Sequence, residues 1–356
     1  MIPDPERTLA HDLSDRERQV LEAVVRTYVD TAEPAGSRTV SRRHGLGVSP
    51  ATVRNTMSDL EEKGYLFHPH TSAGRVPTDL AYRFFVDQVI RPTHLSDAER
   101  ERIQQELEGS GNSAVERMVR RATRALSLLS FELGLAVAPR LDDAILEKLD
   151  LIQVSSEKVL LVATIRSGLV RTVYVDLPGE VPQDTLVTLA MLLNERLAGL
   201  TLRELRQSLP ERLRDAVPGD DPTGEFLNIF LESGAELFDW SGGDSGHVHL
   251  GKTSVLAAQP EFTSGERLKS LIELTERRDL LASALGSREH QGGLSITIGG
   301  EHDSAMLSEF TLVTAEYRAG GLKGVIGVIG PTRMPYEKVI AIVDYTSRMV
   351  SDLLTP

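Results

Sequence analysis

The sequence predicts an α+β protein of several domains, because regions of different character follow one another along its 356 residues. Residues 1–92 consist of short amphipathic helices separated by strong capping signals. Branched apolar runs typical of strands occur at 149–199 and again at 291–356, with a mostly helical stretch between them. A domain of ordinary size has about 150 residues, so the length also favours two or three domains.

Signals for the start of a helix recur three times in the N-terminal region. The segment Ser14–Glu17 has the spacing of a capping box, and Ser37 caps a second helix. Ser49 and Pro50 begin a third helix, with the proline at a position where its missing N–H costs nothing. Strand-like runs joined by a turn at 65–77 predict a β-hairpin. Three helices followed by a hairpin are the order of a winged helix-turn-helix.

The remaining boundaries follow the same changes in character. A charged helical connector is predicted at 93–148. The regions 149–199 and 291–356 are expected to form one α+β domain, which the segment 200–290 interrupts as an insertion. Within these regions we predict strands at 151–154, 159–165, 170–175, 294–298, 310–315 and 323–329, and helices at 183–197 and 336–353.

The composition excludes several classes of protein. The chain is 40% hydrophobic and 26% charged, and it has no apolar run of about 18 or more residues, which argues against a membrane span. The N-terminus is polar and acidic, unlike a secretory signal, so we expect a cytoplasmic protein. The absence of cysteine excludes disulfides, thiolate metal sites and cysteine nucleophiles.

The distribution of charge is uneven. A net charge of −13 is unlike that of a typical nucleic-acid binder. The segment from Pro34 through Ser58, however, contains arginines and no Asp or Glu. Because DNA responds to the charge of the contacting face and not to the average, this acid-free segment is a candidate DNA-binding surface.

The third helix carries the residues best suited to reading DNA. Val53, Met57 and Leu60 recur at helical spacing and are expected to face the core. The opposite face presents Arg54 and Asn55, types that bind guanine and adenine in the major groove. A polar helix face is most often simply solvated, but the helix order, the acid-free segment and a basic hairpin together favour DNA binding. Residues expected to line the approach or contact the DNA backbone are Arg38, Arg42, Arg43, Ser49, Ala51, Thr52, Ser58, His70 and Arg75.

Signals for an enzyme, a cofactor or a metal are missing. Gly-x-Ser-x-Gly, His-Glu-x-x-His and P-loop motifs do not occur, so we expect no catalysis and no cofactor. His247 and His249 lack a nearby third ligand, which favours surface or hydrogen-bonded roles over a metal site. The basic cluster within 117–124 favours a solvated or ion-paired helix face over contact with the DNA backbone.

Several segments resemble the HrcA family of heat-inducible transcription repressors. The N-terminal matches are 33–46, 49–64 and 69–87, and the run Pro-His-Thr-Ser-Ala-Gly-Arg in the last of them is highly specific. The segments 299–301 and 329–336 are similar to later motifs of the family. The resemblance covers essentially the whole chain and is weakest in its acidic middle.

The resemblance implies a homodimer with a winged-helix domain, a GAF-like domain and an inserted dimerising domain. It implies binding to an inverted-repeat operator in double-stranded DNA and repression of chaperone genes. It also implies that the GroE chaperonin supports the active form, and that repression is lost on heat shock when chaperonin is diverted to unfolded proteins.

One alternative function remains open from the sequence. A winged helix also serves ligand-responsive regulators of metabolic genes, and a GAF-like domain could act as their sensor. The sequence offers no clear polar cluster for such a ligand. The regulated promoter would discriminate the two functions, since only a chaperone-gene repressor would find its inverted repeat there.

Overall fold

A computed structural model gives a mixed α+β architecture, as predicted. It describes residues 13–70, 73–91, 93–108, 115–139, 141–166, 170–177, 181–214, 227, 230, 248–286, 293–319 and 321–354. No helix of these described residues is both long and apolar enough to cross a membrane.

The N-terminal region has the predicted order of three helices and a hairpin. Its elements are α1 (Asp15–Thr31), α2 (Ser37–His44), α3 (Pro50–Glu62), β1 (Leu66–Phe67), β2 (Val76–Pro77) and α4 (Asp79–Phe84). The capping box of Ser14 and Glu17 is present, and a π-helical turn, Phe85–Val89, continues α4. We refer to these elements together as the N-terminal unit.

The N-terminal unit shares a hydrophobic core with three later helices, α5 (Asp97–Glu108), α6 (Val115–Ser130) and α12 (Tyr336–Leu354). Leu21 of α1, Val119 of α6 and Val339 of α12 are fully buried members of this one cluster. Burial of such side chains supplies the main favourable free energy of packing. The N-terminal unit is therefore packed directly against the rest of the protein.

A five-stranded antiparallel sheet forms the centre of the larger part. Its order is β7 (Val248–Leu250), β3 (Leu133–Val137), β10 (Leu322–Pro331), β9 (Phe310–Ala319) and β8 (Leu294–Ile298). Side chains alternate across it, so that Ile326 and Val328 join the core with α6 and α12, whereas Val325 and Ile329 face a second cluster. That cluster includes α9 (Thr253–Ala257), α10 (Gly265–Glu276) and α11 (Arg278–Gly286).

A second sheet has its own core. It consists of β4 (Leu146–Ser155), β5 (Lys158–Ile165) and β6 (Val170–Asp176), in that order and all antiparallel. The helices α7 (Gln183–Leu197) and α8 (Leu202–Leu213) bury their leucines against one face of it. The strands and helices predicted in this part of the chain are present within a few residues of their predicted bounds.

The sheets divide the chain differently from the sequence prediction. The strands of 149–199 and of 291–356 lie in different sheets with different cores, although we expected one domain from both. The predicted connector, 93–148, contributes β3 to the centre of the larger sheet. The stretch 200–290 is also split, because α8 packs on the small sheet and α9 to α11 on the large one. The character of a segment predicts a strand but not its partner, which long-range contacts decide.

A buried carboxylic acid, Glu132, lies directly before β3, and its pKa is shifted. Glu132 is 1% exposed, and it accepts a hydrogen bond of 3.0 Å from Nε2 of Gln259. Burial raises the pKa of Glu132, against the opposing effects of that hydrogen bond and of the charge on Arg333. A raised pKa in the folded state stabilises the protein at low pH, and that contribution is lost as the pH rises through the folded pKa.

We therefore expect Glu132→Gln to melt at a higher temperature than the wild type at pH 9. A gain of roughly 2–4 °C corresponds to about 1 kcal/mol in a domain of ordinary size. The gain should shrink as the pH falls, because the raised pKa keeps the wild-type carboxyl protonated to a greater extent at lower pH. Thermal denaturation as a function of pH is the measurement, and a gain independent of pH would contradict the assignment.

Glu99 provides a control, because its pKa is shifted in the opposite direction from that of Glu132. Hydrogen bonds from Ser96, and then the contact with Lys338, lower the pKa of Glu99 to about 2. Its ionised form contributes stability above the unfolded pKa, and this contribution is lost as the pH falls through the folded value. Glu99→Gln should thus melt below the wild type at neutral pH and converge with it in acid.

Candidate nucleic-acid interface

The helix α3 is held by the apolar face that its spacing predicts. Val53, Met57 and Leu60 are buried, and they pack toward α1 and α2. The hydroxyl of Ser49 accepts a hydrogen bond of 3.1 Å from the amide of Thr52, which satisfies one donor at the helix start. Packing and capping together fix both the axis and the rotation of α3.

The opposite face of α3 is open. Ala51, Arg54 and Asn55 are exposed, and Thr52 and Ser58 are half-buried. The hydroxyl of Ser58 donates to the carbonyl oxygen of Arg54 at 3.2 Å, so it lies along the helix surface. The small side chains leave room for close approach by a groove edge. Arg54 offers two donors that suit guanine, and the amide of Asn55 offers one donor and one acceptor that suit adenine.

A groove of about 620 Å³ runs between α2, α3 and the hairpin. Among the predicted site residues, it brings together Arg38, Arg54, Ser58 and Arg75. His68, one of the basic residues of the predicted hairpin, also lines it. Its Nε2 lies 2.8 Å from the carbonyl oxygen of Ala73, a contact across the hairpin that gives no local sequence signal.

The other predicted residues lie outside this groove. Ser49, Ala51, Thr52 and Asn55 occupy the first turns of α3, and His70 is exposed on the hairpin. Arg42 and Arg43 are exposed on the last turn of α2.

The side chain of Arg75 faces the protein, whereas the sequence predicts that it contacts the DNA backbone. Its Nη2 lies 2.7 Å from Oε2 of Glu61, and its side chain is only 16% exposed. Its backbone pairs with that of Ala35 through two hydrogen bonds of 2.8 and 3.0 Å. Arg75 therefore holds the hairpin against α3 and the segment before α2, whereas a contact with DNA phosphate needs a guanidinium that faces outward.

Gly74 is needed for that same contact. A Cβ atom on Gly74 would overlap the backbone of Ala35 and the carbonyl oxygen of Pro34. The sequence predicts only a turn at this position, because the segment that approaches it lies forty residues earlier in the chain. The absence of a side chain lets the two backbones meet.

The positive charge of the interface rests on three arginines. Arg38, Arg42 and Arg54 are exposed and form no ion pair with another described residue, whereas Asp30 neutralises Arg43 at 2.7 Å. Burial, followed by the charges of Arg43 and Arg26, lowers the pKa of His44, so this histidine adds little charge at neutral pH.

The remaining candidates from the sequence are the basic cluster of α6 and the two histidines His247 and His249. On α6, Arg117 and Arg120 are exposed, and Arg124 lies 3.9 Å from Glu106. His249 is buried on β7, and His247 lies outside the described residues. Within the described part of the chain, no group of three potential metal ligands occurs.

Comparisons with known proteins give the family. The model of the HrcA protein C-terminal domain matches residues 116–340. The chain is 37% identical over 361 residues to the heat-inducible transcription repressor HrcA of Chlorobium phaeobacteroides (strain BS1), covering 97% of this chain and 99% of that protein. It is also 37% identical over 349 residues to the protein of the same name from Geobacter sulfurreducens, covering 96% and 98%.

A solved structure supports the fold. The crystal structure of a hypothetical protein superposes with a TM-score of 0.65 at 23% identity, covering 97% of this chain and 99% of that one. The family model matches more than half of the chain, and the relatives match it almost end to end. The chain therefore belongs to the HrcA family.

Proposed function

We propose that this protein represses the transcription of heat-shock genes by binding their DNA through α3. The observation that carries the proposal is the open groove between α2, α3 and the hairpin, which Arg38 and Arg54 line without an ion-pair partner among the described residues. The protein has a net charge of −13, so this basic face attracts a polyanion such as DNA, while the rest of the surface repels it. The names of the relatives agree with this function.

The proposed docking follows the geometry of a winged helix-turn-helix. The first turns of α3 enter the major groove, where Arg54 and Asn55 read base edges and Ala51 and Ser58 allow close approach. Arg38 and Arg42 contact phosphates on either side, and His70 places the hairpin near the DNA backbone. Ser49 and Thr52 add donors at the start of the helix, where an anion is favoured.

The proposed assembly is a cytoplasmic homodimer on an inverted repeat, with one half-site for each protomer. We assign the winged-helix domain to 1–92 and a GAF-like domain to the five-stranded sheet and its helices. The dimerising insertion is then the separate core of β4 to α8, because β3 and β7, which flank it in the chain, are neighbours in the large sheet. The GroE chaperonin supports the active form, and heat shock relieves repression.

The test is binding of the full chain to a labelled inverted-repeat operator and to scrambled DNA at one fixed salt concentration, with and without GroE chaperonin. We expect tight binding to the operator alone, strengthened by the chaperonin. Equal weak binding to both DNAs in every condition would leave a generic DNA-binding fold. The full chain would then be screened for small ligands of the GAF-like domain.

The salt dependence of binding distinguishes two adjacent arginines. We expect Arg42→Ala to weaken binding to all sequences alike and to reduce the slope of log affinity against log salt by about one unit. The sequence alone predicts the same for Arg43, but its pairing with Asp30 means that fewer counterions are released there. Arg43→Ala is thus the matched control with a smaller change, and equal changes for both would contradict the assignment of Arg42 to a phosphate.

A further inference from the structure

The two C-terminal motifs at 299–301 and 329–336 do not line the DNA-binding groove. Both instead contact the N-terminal unit. The groups that they meet lie on α1 and α4, outside the reading helix. The two motifs are therefore candidates for orienting α3 indirectly, through α1 and α4.

The first contact joins α4 to the turn that follows β8. The amide of Gly300 donates to Oδ2 of Asp79 at 2.8 Å, and Nε of Arg83 donates to Oε1 of Glu301 at 2.6 Å. A Cβ atom on Gly299 would overlap the Asp79 carboxylate, and the φ angle of Gly299 is +50°. Glycine is therefore required for this close approach and this backbone conformation.

The second contact joins α1 to the segment that follows β10. Nη1 of Arg333 donates to the carbonyl oxygen of Val29 at 2.6 Å, while its other nitrogens bind the carboxylate of Glu261. Nη2 of Arg26 lies 2.8 Å from Oε1 of Glu337 at the start of α12. The Arg333 side chain is only 14% exposed, so these bonds are largely shielded from water.

The strength of these polar contacts depends on the angle between the groups, which distinguishes them from apolar packing. The rings of Tyr82 and Tyr336 pack with their centroids 5.8 Å apart, and burial of this kind is less directional than a hydrogen bond. Charge-assisted hydrogen bonds from a planar guanidinium accept only a narrow range of geometries. Two such bonds on different helices therefore fix the rotation of the N-terminal unit against the sheet.

We propose that these contacts form a seat that fixes the angle of α3 and thereby sets the half-site spacing that the dimer accepts. The seat consists of Arg26, Val29, Asp79, Arg83, Glu261, Gly299, Gly300, Glu301, Arg333 and Glu337. These are positioning residues, because α1 packs directly against α3 while the seat holds α1 and α4. The spacing part of the inference rests on the proposed binding of a dimer to an inverted repeat.

The DNA test uses operators whose half-sites are moved by a few base pairs. Each added pair rotates one half-site by about a tenth of a turn relative to the other. The wild type should prefer one spacing by at least about tenfold. Arg83→Met and Arg333→Met, which keep apolar stems, should lose most of that preference and still bind an isolated half-site as the wild type does. An unchanged preference, or an equal loss of half-site binding, would overturn the inference.

Matched variants separate orientation from general damage. Arg348 pairs with Asp344 within α12 and contacts nothing in the seat, so Arg348→Met should keep the wild-type spacing preference. If an Arg→Met variant proves unfolded by circular dichroism, Glu301→Gln offers a milder change. It removes the charge that Arg83 binds but keeps an oxygen for the amide of Ile298.

A DNA-free measurement keeps the seat testable even if the proposed function fails. Since the chain has no cysteine, Glu62→Cys and Asp352→Cys place two spin labels on exposed sites of α3 and α12. Samples diluted with unlabelled protein report the distance within one protomer. We expect a narrow distance distribution with the seat intact and a clearly broader one with Arg83→Met. An equally narrow distribution in both would overturn the seat, whatever the DNA results.

Discussion

Replacing Arg54 by alanine is expected to weaken operator binding by about 1–3 kcal/mol, or roughly fivefold to 150-fold, and to relax the choice of base at one operator position. Arg54 is exposed, lines the groove and has no ion-pair partner among the described residues. Its bidentate donors are thus available to a guanine in the major groove. Because the face behind it is packed by Val53 and Met57, the loss should come from contact with DNA and not from unfolding.

The measurement is a set of affinities for operators changed at each position in turn. Arg318→Ala is a suitable control, since Arg318 is an exposed arginine on β9 that does not line the groove. Arg54→Ala should lose the preference for one base at a single position of each half-site. At the other positions it should weaken binding to the original and to the changed operators by the same factor. If Arg54→Ala leaves the affinity for every sequence unchanged, the docking of α3 is wrong.

Replacing Gly74 by alanine is expected to displace the hairpin. The new Cβ atom would overlap the backbone of Ala35 and Pro34, and a shift of Ala35 would disturb its two backbone hydrogen bonds to Arg75. Overpacking of this kind costs about 1–3 kcal/mol of stability. The groove between α3 and the hairpin would widen, so we expect DNA affinity to fall by about tenfold or more.

Thermal denaturation and operator binding together measure the effect of Gly74→Ala. Gly265, the first residue of α10, provides the matched control, because a Cβ atom there meets nothing within 4 Å. Gly265→Ala should change neither quantity appreciably. Wild-type affinity in Gly74→Ala would show that the exact position of the hairpin does not matter for binding.

Elements whose signals are local could be predicted from the amino-acid sequence. The cap at Ser49, the apolar spacing of Val53, Met57 and Leu60, and the branched runs at 159–165 and 323–329 led to helices and strands at nearly their observed bounds. A helix cap or a helical face involves residues within a few positions of each other. Such signals remain readable without knowledge of the rest of the chain.

The contacts between distant segments became known from the folded structure. It paired β3 with β10, turned Arg75 inward to Glu61, and joined Arg83 to Glu301 across 218 positions of the chain. Candidate partners for a strand edge or a guanidinium are numerous in the sequence, and local patterns do not distinguish them. The choice among them follows from the burial of the shared apolar core, a property of the folded chain as a whole.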